Sequence, residues 1–378
     1  MPRFRLTSLA VGALALAGCG GVAAIATGGS SHKTEYATTP TSRGPINPAA
    51  VPLGDGYVST TPKVGYVDSC VTHFGSIGGA RTDGPWINTA KHTWDYEMKL
   101  TVNGRIHWPE GSYEVTIVGD HRVIKFNDLP KTDPTGIFPI ESSDPAYEYD
   151  QNGNHIAKQS FDWKLPLHPT AAKTPACTPG GPIGVLKDGV ALFNALDGEG
   201  RDAGAHEVLD ICAGHPDPSD TYHHHDVPAC ILNKVKNGTT ELVGYALDGY
   251  GIYVVKNKDG QLPTNTQLDA CHGTMSRVMW DGRMTRIYHY VATLEYPYTV
   301  GCFHGRAISS GHTGSAPGRS PSGGPPSGGP PSGGPPSGGP PSGGPPSGGP
   351  PSGSPPSGGP PSGGPPSGGP PSGGPPGA

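Results

Sequence analysis

Apolar and polar positions alternate along this chain with a period near two, over stretches of strand length and not of helix length. Tyr113, Val115 and Ile117 fall on one side of a segment from Ser112 to Val118, with Glu114 and Thr116 on the other. Glu97 to Val102 and His121 to Phe126 are further strand-length stretches, with Gly104 and Gly119-Asp120 as turns. Ile183 to Val185 and Val190 to Phe193 flank Lys187-Asp188-Gly189, where Asp-Gly predicts a tight hairpin. Leu242 to Tyr245 and Ile252 to Val255 bracket Asp248-Gly249-Tyr250-Gly251, and Arg286 to Thr293 reads as another strand. Long amphipathic helical patterns are missing, and one short helix is expected near Gln267 to Cys271. The pattern predicts a mainly β domain over residues 66–308, a sandwich or irregular barrel with long disulfide-supported loops.

Composition changes the picture at both ends, which are expected to be disordered. The chain has 61 Gly and 46 Pro, and many of them lie in a tail over 309–378 that repeats Pro-Ser-Gly-Gly-Pro from Pro321, broken once at Ser354. Glycine does not recur at every third position, so a collagen helix is excluded. The tail has too few apolar side chains to offset the entropy of ordering it. Contact with cell-wall or surface polymers is one use for it. Residues 19–65 are rich in Gly, Thr, Ser and Pro and read as a flexible tether.

Residues 1–18 have the layout of a processing signal: Arg3 and Arg5, an apolar run from Leu6 to Leu16, then Leu16-Ala17-Gly18-Cys19, a lipobox like that of bacterial lipoproteins. Lipidation of Cys19 would hold the exported protein at a membrane surface in the cell envelope. A formal net charge of -5 gives no general electrostatic case for nucleic acid as a partner.

Without Cys19, six of the seven cysteines remain: Cys70, Cys177, Cys212, Cys230, Cys271 and Cys302. In an oxidising compartment an even number reads as disulfides, and close Cys-x-x-Cys pairs for a zinc site are absent. Six cysteines permit many pairings; the expected set is Cys212 with Cys230, Cys271 with Cys302, and Cys70 with Cys177.

Candidate chemistry concentrates between Asp210 and Cys230. Half of the 16 histidines fall between His206 and His304, and His215, His223, His224 and His225 sit inside this one stretch. If Tyr222 to His225 is extended, His223 and His225 project to one face while Tyr222 and His224 project to the other. Such a His-x-His pair can chelate one cation, and imidazole donors suit zinc or copper. His215 or His289 would complete the set, with Asp210 or Asp226 as a carboxylate ligand or orienter. Tyr222 and Asp248 are further supporting candidates. Against this stands a structural reading in which the histidines only knit a Pro- and Asp-rich loop together.

Tyr222-His223-His224-His225 resembles the signature of the YHYH-domain family, with His224 standing where that motif has its second Tyr. Glu199-Gly-Arg-Asp-Ala203, Cys212-Ala-Gly-His-Pro-Asp217, Gly244-Tyr-Ala-Leu-Asp-Gly249 and Tyr288-His-Tyr-Val291 agree. Leu268-Asp-Ala-Cys271, Tyr296-Pro-Tyr298 and Gly301-Cys302-Phe303 extend the resemblance over about 125–306. It implies a domain and no particular reaction.

Three functions stay open: a surface protein holding a transition metal, a metal-assisted hydrolase using the same histidines, and a non-catalytic structural or partner-binding module. The Gly-x-Ser-x-Gly elbow and the His-Glu-x-x-His helix are both missing, so the catalytic residues are unknown. Asp197-Gly-Glu-Gly200, Asp248-Gly-Tyr-Gly251 and Asn257-Lys-Asp-Gly260 read as turns and not as calcium loops. Arg201 is expected in an ion pair or at an anionic ligand.

Overall fold

Asp188-Gly189 turns the chain as its chemistry requires: Gly189 takes φ +92°, and Asp188 Oδ1 accepts from the Val190 N–H at 3.1 Å. The hairpin it closes lies at the centre of the largest sheet. The structure, a computed structural model, describes residues 44–75 and 78–311. The expected signal segment 1–18, Cys19 and the repeat tail from residue 312 lie outside the described residues.

The strands of the eight-stranded sheet that carries the site and of the three-stranded sheet that shares its core are numbered here in chain order. A three-stranded antiparallel sheet comprises β1 (Tyr113–Val118), β2 (His121–Phe126) and β3 (Phe161–Pro166). An eight-stranded sheet comprises β4 (Pro182–Leu186), β5 (Ala191–Phe193), β6 (Gly214–Pro216), β7 (Tyr222–His224), β8 (Thr240–Ala246), β9 (Gly251–Val255), β10 (Gly273–Trp280) and β11 (Arg283–Val291). Its order is β6-β7-β5-β4-β8-β9-β11-β10. The β5–β7 and β9–β11 pairs are parallel and the others antiparallel. The fold is mainly β, as its alternation predicts. Several sheets form and none of those described closes, so the barrel alternative does not hold.

The two sheets share one core, in which Ile124, Phe126, Trp163 and Leu165 bury with Ile183, Leu192, Tyr253 and Tyr290. Arg122 crosses between them, its guanidinium 4.6 Å from the Tyr245 ring centre and bonded to Asp281 at 2.8 Å. β1 stays exposed: Ile117 is 57% accessible, so its alternation marks an edge strand and not a buried face. A second core collects Val51, Leu53, Trp86, Trp94, Ala205, Tyr296 and Tyr298. Val51 and Leu53 therefore place part of the expected 19–65 tether inside the folded body. Sparse apolar residues spaced by Pro and Gly show no periodicity, yet they pack. At the other end the Trp163 indole donates to the Ser310 carbonyl at 2.7 Å, so the first tail residues also dock.

All three expected disulfides are present, with Cα separations of 5.1, 5.3 and 4.5 Å for Cys70–Cys177, Cys212–Cys230 and Cys271–Cys302. Two expected elements differ. Glu97 to Val102 is not a strand, because Asp95 Oδ1 accepts from the Glu97 and Met98 N–H groups and turns the chain there. The short helix expected near Gln267 is a 3-10 turn at Asn265–Gln267, set by a capping box from Thr264 and Gln267. Two short helices that periodicity does not announce, α1 (Ala203–His206) and α2 (Ala229–Leu232), flank the site.

Candidate metal centre

The site is built on the β6–β7 pair. Antiparallel register sets Gly214 opposite His224, His215 opposite His223, and Pro216 opposite Tyr222. Gly214 is required there, since a Cβ would lie 2.2 Å from Tyr222 Cζ. The Tyr222 hydroxyl donates to Asp210 Oδ2 at 2.8 Å, and Asp210 also accepts from the Gly136, Cys212 and Gly214 N–H groups. Asp210 is thus a turn organiser with its acceptors occupied, and not a free ligand.

Alternation along β7 divides the histidines as predicted. His224 and Tyr222 share one face, with ring centres 5.5 Å apart. On the other, His223 Nε2 lies 3.1 Å from His225 Nε2, and His215 Nε2 lies 3.3 Å from His225 Nε2. These three buried histidines form the one group among the described residues whose donor atoms converge tightly enough for a metal ion. Zinc–nitrogen bonds of about 2.0–2.1 Å in a tetrahedral set place ligand atoms about 3.3 Å apart, close to the separations seen.

Their outer nitrogens fix how the rings point. His223 Nδ1–H donates to the Thr221 carbonyl at 3.1 Å, and His225 Nδ1–H donates to the Asn194 carbonyl. Carbonyls only accept, so both Nε2 lone pairs face inward, toward each other. Phe193 stacks on His223, with ring centres 3.9 Å apart, and holds that plane. His215 differs: the Asn152 amide donates to its Nδ1 at 3.3 Å, which leaves the metal-free proton on Nε2. His223 and His225 are thus preset to donate to a cation, and His215 would join them by changing tautomer.

Glu207, at the C-terminal end of α1, is the residue that sequence reasoning missed. Its Oε2 lies 3.3 Å from His215 Nε2 and 3.2 Å from His225 Nε2, out of line for a hydrogen bond, so this buried oxygen takes no donor. Burial alone would raise its carboxyl, but His215, His225 and the Lys99 ammonium more than offset this and hold it at about 2. Burial lowers His215 to about 4, with Glu207 opposing, and holds His223 well below its usual value. For His225 burial acts downward, yet Glu207 prevails and raises it. The available cue was one acid in the run Ala203-Gly-Ala-His-Glu-Val-Leu209, since a carboxylate among apolar neighbours is buried only with partners.

His224 has a separate task. It faces the Ala213 carbonyl at Nδ1 and Asp188 Oδ2 at Nε2, both at 3.0 Å, and so donates from both nitrogens as an imidazolium. Against its burial, Asp188 raises it to about 9.

His289 does not join the centre. It lies on β11, five strand spacings or about 24 Å from β7, with its ring against Tyr253 and Nδ1 on the Ile287 carbonyl. Asp248 is distant too, accepting from the Tyr290 hydroxyl and the Gly305 N–H. Asp226 follows His225 in sequence but lines a different cavity. His206 is held between Asp55 and Asp83, and Arg201 pairs with Asp197 and Glu199. The three inward histidines and Glu207 line a cleft of about 290 Å³ with Phe74, Asn152, Asp197 and Asp217, and no lysine or arginine is among its described lining residues.

Residues 162–266 match the family model described as YHYH protein, a span from β3 to β9 that includes Tyr222-His-His-His225. Among curated proteins and solved structures, nothing matches the chain. No described helix is long and apolar enough to cross a membrane.

Proposed function

We propose that this is an exported, lipid-anchored surface protein whose YHYH domain holds one transition-metal ion, zinc or copper, on His215, His223 and His225. The observation that carries the reading is the pair of inward lone pairs on His223 and His225, 3.1 Å apart with both outer nitrogens on carbonyls. Two such lone pairs repel unless a cation or a proton lies between them. A cation answers all three rings at once, and Glu207 supplies the compensating negative charge. Disulfides at three places fit an oxidising compartment. Anchoring rests on the Leu16-Ala-Gly-Cys19 sequence alone.

Elemental analysis of the full chain, exported so that its disulfides form, tests this beside His223→Ala/His225→Ala. One equivalent of metal in the parent and none in the variant is expected. Equal metal in both would sink the reading.

A second reading, metal-assisted hydrolysis, is favoured by the cleft that opens onto the histidines. Three protein ligands with access for a further one is the pattern of catalytic zinc sites, and Glu207 would be the base for a water there. Turnover that requires both the metal and Glu207 would select it.

A further inference from the structure

A second cavity, of about 430 Å³, lies among the chain neighbours of the Cys212–Cys230 disulfide, with Trp94, Tyr96, Lys99, Leu100, Leu209 and Asp226 in its lining. Its volume is that of small-molecule sites. Two opposite charges face it without meeting. Asp226 Oδ1 is buried and takes no hydrogen bond, and among the described residues no ion pair within 4.0 Å includes Asp226. Lys99 commits one of its three donors to the Gly204 carbonyl and lies 5.7 Å from the Trp94 ring centre. Burial lowers Lys99 to about 8, and Asp226 is the foremost of the carboxylates opposing that, ahead of Asp202, Glu207 and Asp150. The two residues line one cavity with no ion pair between them.

A buried carboxylate oxygen without a donor is costly, as is an ammonium with unused donors. A simple cation would satisfy Asp226 but meet repulsion from Lys99. A simple anion would do the reverse. An uncharged apolar molecule would leave both charges stranded in a drier cavity. We propose that this cavity binds a free α-amino acid with an apolar side chain, its carboxylate on Lys99, its ammonium on Asp226, and its side chain against Trp94 and Leu100. The proposal does not rest on the metal reading, although Lys99 also acts on Glu207 and Asp226 on His225.

Titration calorimetry of the full chain with leucine tests it, with EDTA present so that amino-acid chelation at the histidines contributes nothing. Leucine is expected to bind, and 4-methylpentanoate and 3-methylbutylamine, each lacking one charged group, to bind at least tenfold more weakly. Asp226→Asn and Lys99→Met should each weaken leucine binding at least tenfold while the circular dichroism spectrum is kept. No heat with millimolar leucine overturns the proposal. So does equal binding of leucine and its two truncated forms, a comparison that decides the matter even where a variant fails to fold.

Discussion

His215 and His223 stand directly opposite each other across the β6–β7 pair. Opposed residues on one face of an antiparallel pair bring their Cβ atoms to within about 5 Å. That register and the i, i+2 alternation from His223 to His225 together gather three imidazoles at one point. Anything that shifts the register by one residue turns His223 to the opposite face.

Gly214→Ala tests this dependence. A Cβ at 2.2 Å from Tyr222 must push the ring or the strand aside. Loss of the Tyr222 to Asp210 hydrogen bond and overpacking together should cost about 2–4 kcal/mol, read by urea unfolding. Bound metal should fall with it. Unchanged stability would show that the strand pair adapts.

Glu207→Gln keeps shape and removes charge. Metal affinity at pH 8 should fall about 10- to 100-fold, the usual effect of losing a supporting carboxylate, measured by competition with a chromogenic chelator. The pH profile should change as well. Protons compete for the same nitrogens, so affinity declines as pH falls. In the parent the first competing proton goes to His225, whose affinity Glu207 raises, whereas His215 and His223 resist protonation. In Glu207→Gln the onset of decline should move to lower pH. An unshifted onset would remove Glu207 from the site's charge balance.

The His224–Asp188 pair predicts a stability profile of its own. Folding raises His224 from its ordinary value near 6.5 to about 9. Its stabilisation is therefore full below pH 6.5 and is lost as pH rises through 9. Comparing the parent with His224→Gln cancels the other titrating groups. The parent's advantage at pH 6, on the order of 3 kcal/mol, should vanish by pH 10. A pH-independent difference would mean that His224 is neutral in the fold.

Cys70→Ser/Cys177→Ser opens the longest covalent loop, a sequence separation of 107. The chain-entropy account gives about 4–5 kcal/mol for a loop of that length. Thermal melting should show a correspondingly large loss, with metal binding at low temperature retained. Opening Cys212–Cys230, with a separation of 18, should cost less stability but weaken the metal. The reverse pattern would separate the disulfide from the site.

The legible parts of this protein are local. A two-residue period places His223 and His225 together, an Asp-Gly pair announces the turn at Asp188, and the histidines flagged within one loop include all three that converge. Glu207 goes unmarked in the sequence and His289 is marked without joining the site for the same reason: neither position is set by its neighbours in sequence. α1 swings Glu207 beneath His215, while the strand order carries His289 to the far side of the sheet. β10 is not legible because Gly273-Thr-Met-Ser-Arg-Val-Met-Trp280 does not alternate cleanly, and β11 supplies its pairing. β3 is legible by the same rule, since Phe161-Asp162-Trp163-Lys164-Leu165 alternates and its apolar side chains are the buried ones.

The Cys212–Cys230 loop encloses His215, His223 and His225, and Glu207 lies just upstream of it. Closing so short a loop carries a smaller entropic penalty than closing the one that joins Cys70 to Cys177. If the chain is exported as proposed, with its N-terminus leading, every group of the centre emerges before β8, β9, β10 and β11 have arrived. On that reading the centre would assemble as a self-contained cyclic unit and could take up the proposed ion while the sheet behind it is still incomplete.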